Sequence, residues 1–150
     1  MDNFFNAENL LVNRLQQALS TIPANNIRAA INLEWAVTNP LSPSISIIFY
    51  DDEPDTAAGG SARRGQSQLS HQFWLILLSV KNVANAGTAA QQDAGLLIVQ
   101  LLKALQGYSL SKEHLPLMRQ KCPYRKTDKK DGFVHFPFLF STGVVVTTAR

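Results

Sequence analysis

The residues best suited to chemistry are thinly spread in this chain. His71, His114 and His135 are its three imidazoles, and Cys122 is its one thiol. Structural zinc takes four converging nitrogen or sulfur donors, usually from close spacings such as CxxC or HxxxH. These residues show no such spacing, so a metal site is not expected. "SLSK", Ser109 to Lys112, matches the SxxK pattern of serine acyl-transfer enzymes. The companion SDN and KTG motifs are missing, as is the GxSxG of hydrolases. "GGSARRG", residues 59–65, has glycines that would let backbone N–H groups approach a phosphate. A phosphate loop, however, needs GxxxxGK[ST] opening a helix, and this stretch leads into a strand-like run. Glu34, Asp93 and Glu113 are scattered, so no carboxylate pair is set up for acid–base work. The expectation is no catalytic residue, no metal and no cofactor: not an enzyme.

Charge is arranged more tellingly than chemistry. The formal net charge is +3. Asp51, Asp52, Glu53 and Asp55 form an acidic cluster. Arg63 and Arg64 follow within the same segment, "DDEPDTAAGGSARRGQS", residues 51–67. Those 17 residues separate two strand-like runs, where connections have a median of roughly 4–6. A segment acidic in front and basic behind is self-complementary, which suits head-to-tail contact between copies. A second basic stretch holds Lys112, Arg119, Lys121, Arg125, Lys126, Lys129 and Lys130. It reads as a solvated hairpin rim or as a surface for nucleic acid. Candidate partner-binding residues are therefore Asp51, Asp52, Glu53, Asp55, Arg63 and Arg64, with Arg125, Lys126, Lys129 and Lys130.

The elements that must carry these residues follow from periodicity. Residues 4–22 place Leu11, Leu15, Leu19 and Ile22 on one helical face, ended by Pro23. Ile27, Ala29, Ile31, Leu33, Trp35 and Val37 alternate with more polar neighbours, which predicts a half-buried strand over 27–37. "IRAA" alone would favour a helix there. A turn at 39–43 precedes the strand "SISIIFY", and 51–67 is read as a long hairpin loop. In "SQLSHQFWLILLSVKNV", Phe73 to Leu78 are apolar at every position, so both faces should be buried. One layer of helices cannot cover both. Residues 88–106 form the clearest helix, stopped by Gly107. Gly95 inside it costs roughly 1 kcal/mol relative to alanine, which close packing against the sheet would explain. "PLMRQK" is a short strand, and 124–140 is a hairpin turning at Asp131-Gly132. Pro137 marks an edge or bulge, and Gly143 divides this strand from "VVVTT", which is a last short strand or an extension. The expected fold is α+β: one mostly antiparallel, twisted sheet with two helices packed on one face.

With 150 residues, 45% hydrophobic and 17% charged, the chain should form a single domain over 1–150 with a real core. A lone cysteine suits a reducing compartment. The N-terminus has no basic region followed by an apolar run, so no signal peptide is expected. The longest apolar run, "FWLILL", is far short of the roughly 20 residues that span a bilayer, so no membrane partner is expected.

The order of elements resembles the tail terminator (tail completion) proteins of long-tailed bacteriophages, notably the minor tail protein U type and Mu-like prophage tail proteins. The likeness runs through "NAENLLVNRLQQAL", "AINLEWAVT", "SISIIFY", the 51–67 loop, "HQFWLILLSV", "QDAGLLIVQLLKAL" and the C-terminal strands. It implies a structural protein that does no chemistry. Such proteins form a ring, usually of six copies, that caps the tail tube, stops its polymerisation and joins it to the head. The implied partners are other copies of the chain, the tail tube and head-completion proteins. The basic stretch 119–130 is denser than a docking rim requires, which leaves DNA passing through such a ring open as a further partner. The implied location is the bacterial cytoplasm before assembly and the virion tail afterwards. The resemblance places the 51–67 loop where family members keep a long loop that orders on assembly. The apolar strand 73–78 and the phenylalanine-rich strand 133–140 offer patches for such contacts. The alternative function is a small nucleic-acid-binding module using a basic 119–130 hairpin. Binding of that kind depends steeply on salt, but only Tyr124 and Phe133 are near for stacking.

Overall fold

A computed structural model describes residues 3–55, 67–81, 87–128 and 132–147. The first helix, α1, spans Asn6–Ala18 and buries Ala7, Leu11 and Leu15. It ends earlier than the sequence suggests. Leu19 leaves helical geometry (φ −113°, ψ 73°), and a 3-10 turn at Ala24–Asn26 follows.

The strand expected over 27–37 is a correction. Only Ile27–Ala29 is strand, β1, and Leu33–Thr38 is a helix, α2. A local cap decides it. The Asn32 side-chain oxygen accepts the Trp35 N–H at 2.7 Å, satisfying a donor that a helix start otherwise leaves orphaned. Ile31, which a strand would have buried, is 83% exposed.

Four strands complete the core of the sheet: β2 Ser44–Pro54, β3 Ser67–Lys81, β4 Met118–Gln120 and, across the C-terminal region, Phe133–Thr147. A two-residue strand, β5, Thr127–Asp128, precedes the last of these, which is therefore β6. The order is β1-β2-β3-β6-β4, with β5 also on β6. Only β1 with β2 is parallel; the rest pair antiparallel. The remaining helix, α3, runs Gly87–Leu105 and stops at Gly107, whose φ of +75° only glycine adopts readily.

The sheet has two apolar faces with separate covers. On one, Trp74, Ile76, Leu78, Phe138 and Phe140 pack with α1 and with Leu101 and Leu105 of α3. On the other, Ile48, Leu75, Leu77 and Leu139 pack with Ala36 of α2. So α2 is the second cover that the doubly apolar run 73–78 demanded. Each fully buried leucine here is worth about 1.5–3 kcal/mol.

Several further expectations need correction. Gly143 does not divide a strand, because β6 passes through it unbroken. Its missing side chain makes room for Leu115, whose Cδ1 lies 2.6 Å from where a Cβ would be. Gly95 meets nothing: an added Cβ there has no neighbour within 4 Å. Pro137 does mark an interruption. It falls between the residues of β6 that pair with β5 and those that pair with β4, where its missing N–H costs no ladder bond.

Candidate assembly interface

The acidic front of the expected 51–67 loop is strand. Asp51 pairs with Phe73, Asp52 with Gln72 and Glu53 with His71, after a bulge between Phe49 and Asp51. The connection proper therefore begins at Asp55, whose N–H donates to Leu69 O at 2.8 Å. Arg63 and Arg64 lie outside the described residues, as do Lys129 and Lys130.

This acidic strand segment is firmly seated. Phe5, Phe49 and Trp74 form an edge-to-face series with centroids 5.0 and 5.3 Å apart, a favourable quadrupolar geometry. Buried Trp74 donates its indole N–H to Gln72 Oε1 at 3.3 Å, and Gln72 Nε2 donates to Phe4 O at 2.6 Å. The N-terminus of α1 is thereby pinned beside β2. Asp51, Asp52 and Glu53 are exposed.

Among the described residues, one edge of this segment is open. β1 pairs only with Ile45, Ser46 and Ile47, and Ala30 N–H adds one bond to Ile47 O. Among the described residues, no strand pairs with the outer side of 48–54. The Asp52 N–H is instead taken by its neighbour's carboxylate, Asp51 Oδ1, at 2.8 Å. Charged side chains on an exposed edge are a common defence against indiscriminate strand pairing.

The basic stretch is not one hairpin, which corrects the 119–130 reading. Arg119 belongs to β4 at the opposite edge of the sheet, with its guanidinium 5.2 Å from the Phe138 ring centroid. Lys121 follows it, and both are exposed. The chain then crosses the α2-bearing face. Cys122 packs with the apolar cluster there, and Tyr124 meets Tyr50 edge-to-face at 6.1 Å. Arg125 lines a cavity of about 370 Å³ with Glu34, Tyr124 and Pro137. Lys126 is exposed next to it. Thr127 and Asp128 then pair with His135 and Val134, and Gly132 turns at φ +85°. The structure thus separates Arg119 and Lys121 from Arg125 and Lys126.

The apolar patches expected for contacts are also corrected. Trp74 to Leu78 are buried, as are Phe138 and Phe140, so these strand centres are core. Exposed apolar residues lie elsewhere, among them Ile31 ahead of α2, Tyr50 on β2, Met118 on β4, and Leu96 and Val99 on α3.

His114 and His135 are buried in the fold, and Cys122 is partly buried. His114 is buried, its Nδ1 2.6 Å from Ser111 Oγ, and burial pushes its pKa down while Glu113 pulls it up. Ser79 Oγ is 2.8 Å from His135 Nδ1. Burial raises the Cys122 thiol, opposed by a backbone hydrogen bond from Tyr124 and by Arg119. Among the described residues, no group of three or more His, Cys, Asp or Glu is placed to hold a metal. No described helix is long and apolar enough to cross a membrane.

The model of one protein family, the phage tail terminator protein, matches residues 1–150. The chain belongs to the phage tail terminator family. Its role is accordingly a structural one in tail assembly, among other tail proteins. The fold of this family member is shared by a chain from a solved structure titled "Virion of native gene transfer agent (GTA) particle". The TM-score is 0.52 at 16% identity, over 91% of this chain and 95% of that one. No curated protein matched.

Sequence reasoning missed that Met118 and Arg119 lie exposed on an edge strand, with Lys121 just after it. The available signal was the short run "PLMRQK" ahead of Cys122-Pro123, whose prolines at 116 and 123 confine any strand to a few residues.

Proposed function

We propose that this chain, as one 1–150 domain per subunit, forms a ring that caps the tail tube, stops its polymerisation and joins it to the head. The observation that carries the reading is the family match over all 150 residues. The architecture supports it. The acidic edge of β2 and the basic edge of β4 lie at opposite sides of one sheet, and a ring needs two different, complementary patches. The virion context of the shared fold supports partnership with tail and head proteins. Assembly begins in the bacterial cytoplasm and ends in the virion tail. DNA is a partner only as cargo through the ring lumen. The basic residues that a separate nucleic-acid-binding role would use are divided between the β4 edge and the β5–β6 hairpin.

The test is tube growth. Purified tail-tube protein is polymerised with and without this chain, and tube lengths and ends are measured by electron microscopy. The expected result is shorter tubes with added density at one end. Unaltered length with bare ends would overturn the proposal.

A further inference from the structure

We infer that the open outer edge of β2, residues 48–54, receives β4 of a second copy of this chain, so that the sheet continues from subunit to subunit. The inference rests on the ring reading above and specifies its interface.

Three independent features of the fold converge on this pairing. The first is direction. β2 to β3, β3 to β6 and β6 to β4 are each antiparallel, so β2 and β4 run oppositely within one subunit. A neighbour set alongside with its helices on the same face would therefore bring β4 antiparallel to β2, the arrangement most of this sheet already uses.

The second is height. Met118 pairs with Ser141, Ser141 with Phe73, and Phe73 with Asp51. Gln120 leads in the same way through Leu139 and Leu75 to Ile48. The exposed margin of β4 thus lies in the same rows as Ile48 to Asp51. Those rows begin just past Ile47, where the cover from β1 ends.

The third is charge and exposure. Asp51, Asp52 and Glu53 stand on the β2 edge, and Arg119 and Lys121 on the β4 edge, all exposed. Asp52 pairs with Gln72 and Arg119 with Phe140, and Gln72 and Phe140 share the helix-bearing side. A continued sheet keeps that side common, and Arg119, in the Trp74 row, would stand diagonally across the joint from Asp52, in the Gln72 row, at a spacing that long side chains span. Met118, 63% exposed, and Tyr50, 42% exposed, supply apolar surface at the same level. An acidic edge repels another acidic strand and attracts a basic one. That selectivity keeps the open edge from indiscriminate association. The bond from Asp52 N–H to Asp51 Oδ1 holds the edge until a strand replaces it.

The pairing is head-to-tail, because each copy offers β2 on one side and β4 on the other. Repetition closes a ring when the rotation per step divides the circle.

Two full-length variants test it: D51K/D52K/E53K, and R119E/K121E. All five positions are exposed, and thermal melts of each variant check that the fold is kept. Mass is measured by light scattering at concentrations where the unaltered chain assembles. Each variant alone should remain at 16.6 kDa. An equimolar mixture should recover the assembled mass, because the altered β2 edge of one then fits the altered β4 edge of the other. Misfolding cannot produce that recovery. Assembly of either variant alone, or a mixture that stays monomeric, overturns the edge pairing while leaving the ring reading intact. Variants that assemble normally but no longer bind tail tubes would assign the edge to the tube protein, also overturning it. An unaltered chain that stays monomeric at every concentration, even with tail tubes present, contradicts both.

Discussion

Gly95 and Gly143 show how differently the same residue can stand in one fold. An added Cβ at Gly95 meets open space inside α3, so Gly95→Ala should raise stability by about 1 kcal/mol through helix propensity. At Gly143 the same methyl would press on Leu115 and Leu69. Gly143→Ala should lower stability by about 1–3 kcal/mol, as overpacking does, at the lower end because Leu115 is half exposed and free to shift. Urea titrations of both variants check the opposite signs. His114 gives a pH effect of known direction. Burial holds its pKa below 6.5, so the unfolded chain takes up this proton before the folded one does. Stability is then full above the ordinary histidine range and falls as pH drops below about 6.5, until the folded imidazole also titrates. A thermal melt should show a lower midpoint at pH 5.5 than at pH 7.5, and His114→Asn should flatten that difference. An unchanged difference in the variant would assign the effect to other groups.

At the scale of elements, α2 is the informative case. The apolar alternation over 27–37 is real, and it misleads because Asn32 caps a helix start in the middle of it. Leu33, Ala36 and Val37 then turn to the sheet at helical spacing and cover the second face. Asn32→Ala should cost about 1 kcal/mol, the usual loss of an N-cap. It should also loosen that face, seen as faster hydrogen exchange at Leu75 and Leu77. Long regular elements were legible from the sequence for a physical reason. The stripes of α1 and α3 and the runs of β2, β3 and β6 carry enough apolar residues for their period to outweigh any single local interaction. β1, β4 and β5 are two or three residues long, and their pairing is set by the neighbours that reach them. The acidic cluster was visible as composition, but its place on an open strand edge was not. That place depends on β1 stopping at Ala29 and on Asp51 to Glu53 finding partners in β3. The separation of Arg119 from Arg125 likewise depends on the crossing at Cys122 and Tyr124, where a continuous hairpin was expected.

For the whole molecule, the described residues form a sheet covered on both faces by helices. The outer sides of β4 and of β2 beyond Ile47 are unpaired by any described strand. Burying the strand centres removes them as contact surfaces, and under the proposed edge pairing association uses the margins, where the charges of opposite sign are found. Added salt should therefore weaken assembly, because exposed charge pairs are screened beyond roughly 8–10 Å at 0.1–0.15 M ionic strength. The connection after β2 adds a second requirement under the ring reading, since removing residues 56–66 should abolish assembly without lowering the melting midpoint. The most direct measurement is absolute mass by light scattering on a sizing column, over a wide concentration range and with and without magnesium. The expected result is a rise from 16.6 kDa to one discrete closed species near six copies. A chain that stays monomeric throughout, and that leaves tail tubes uncapped when mixed with them, would contradict the ring reading.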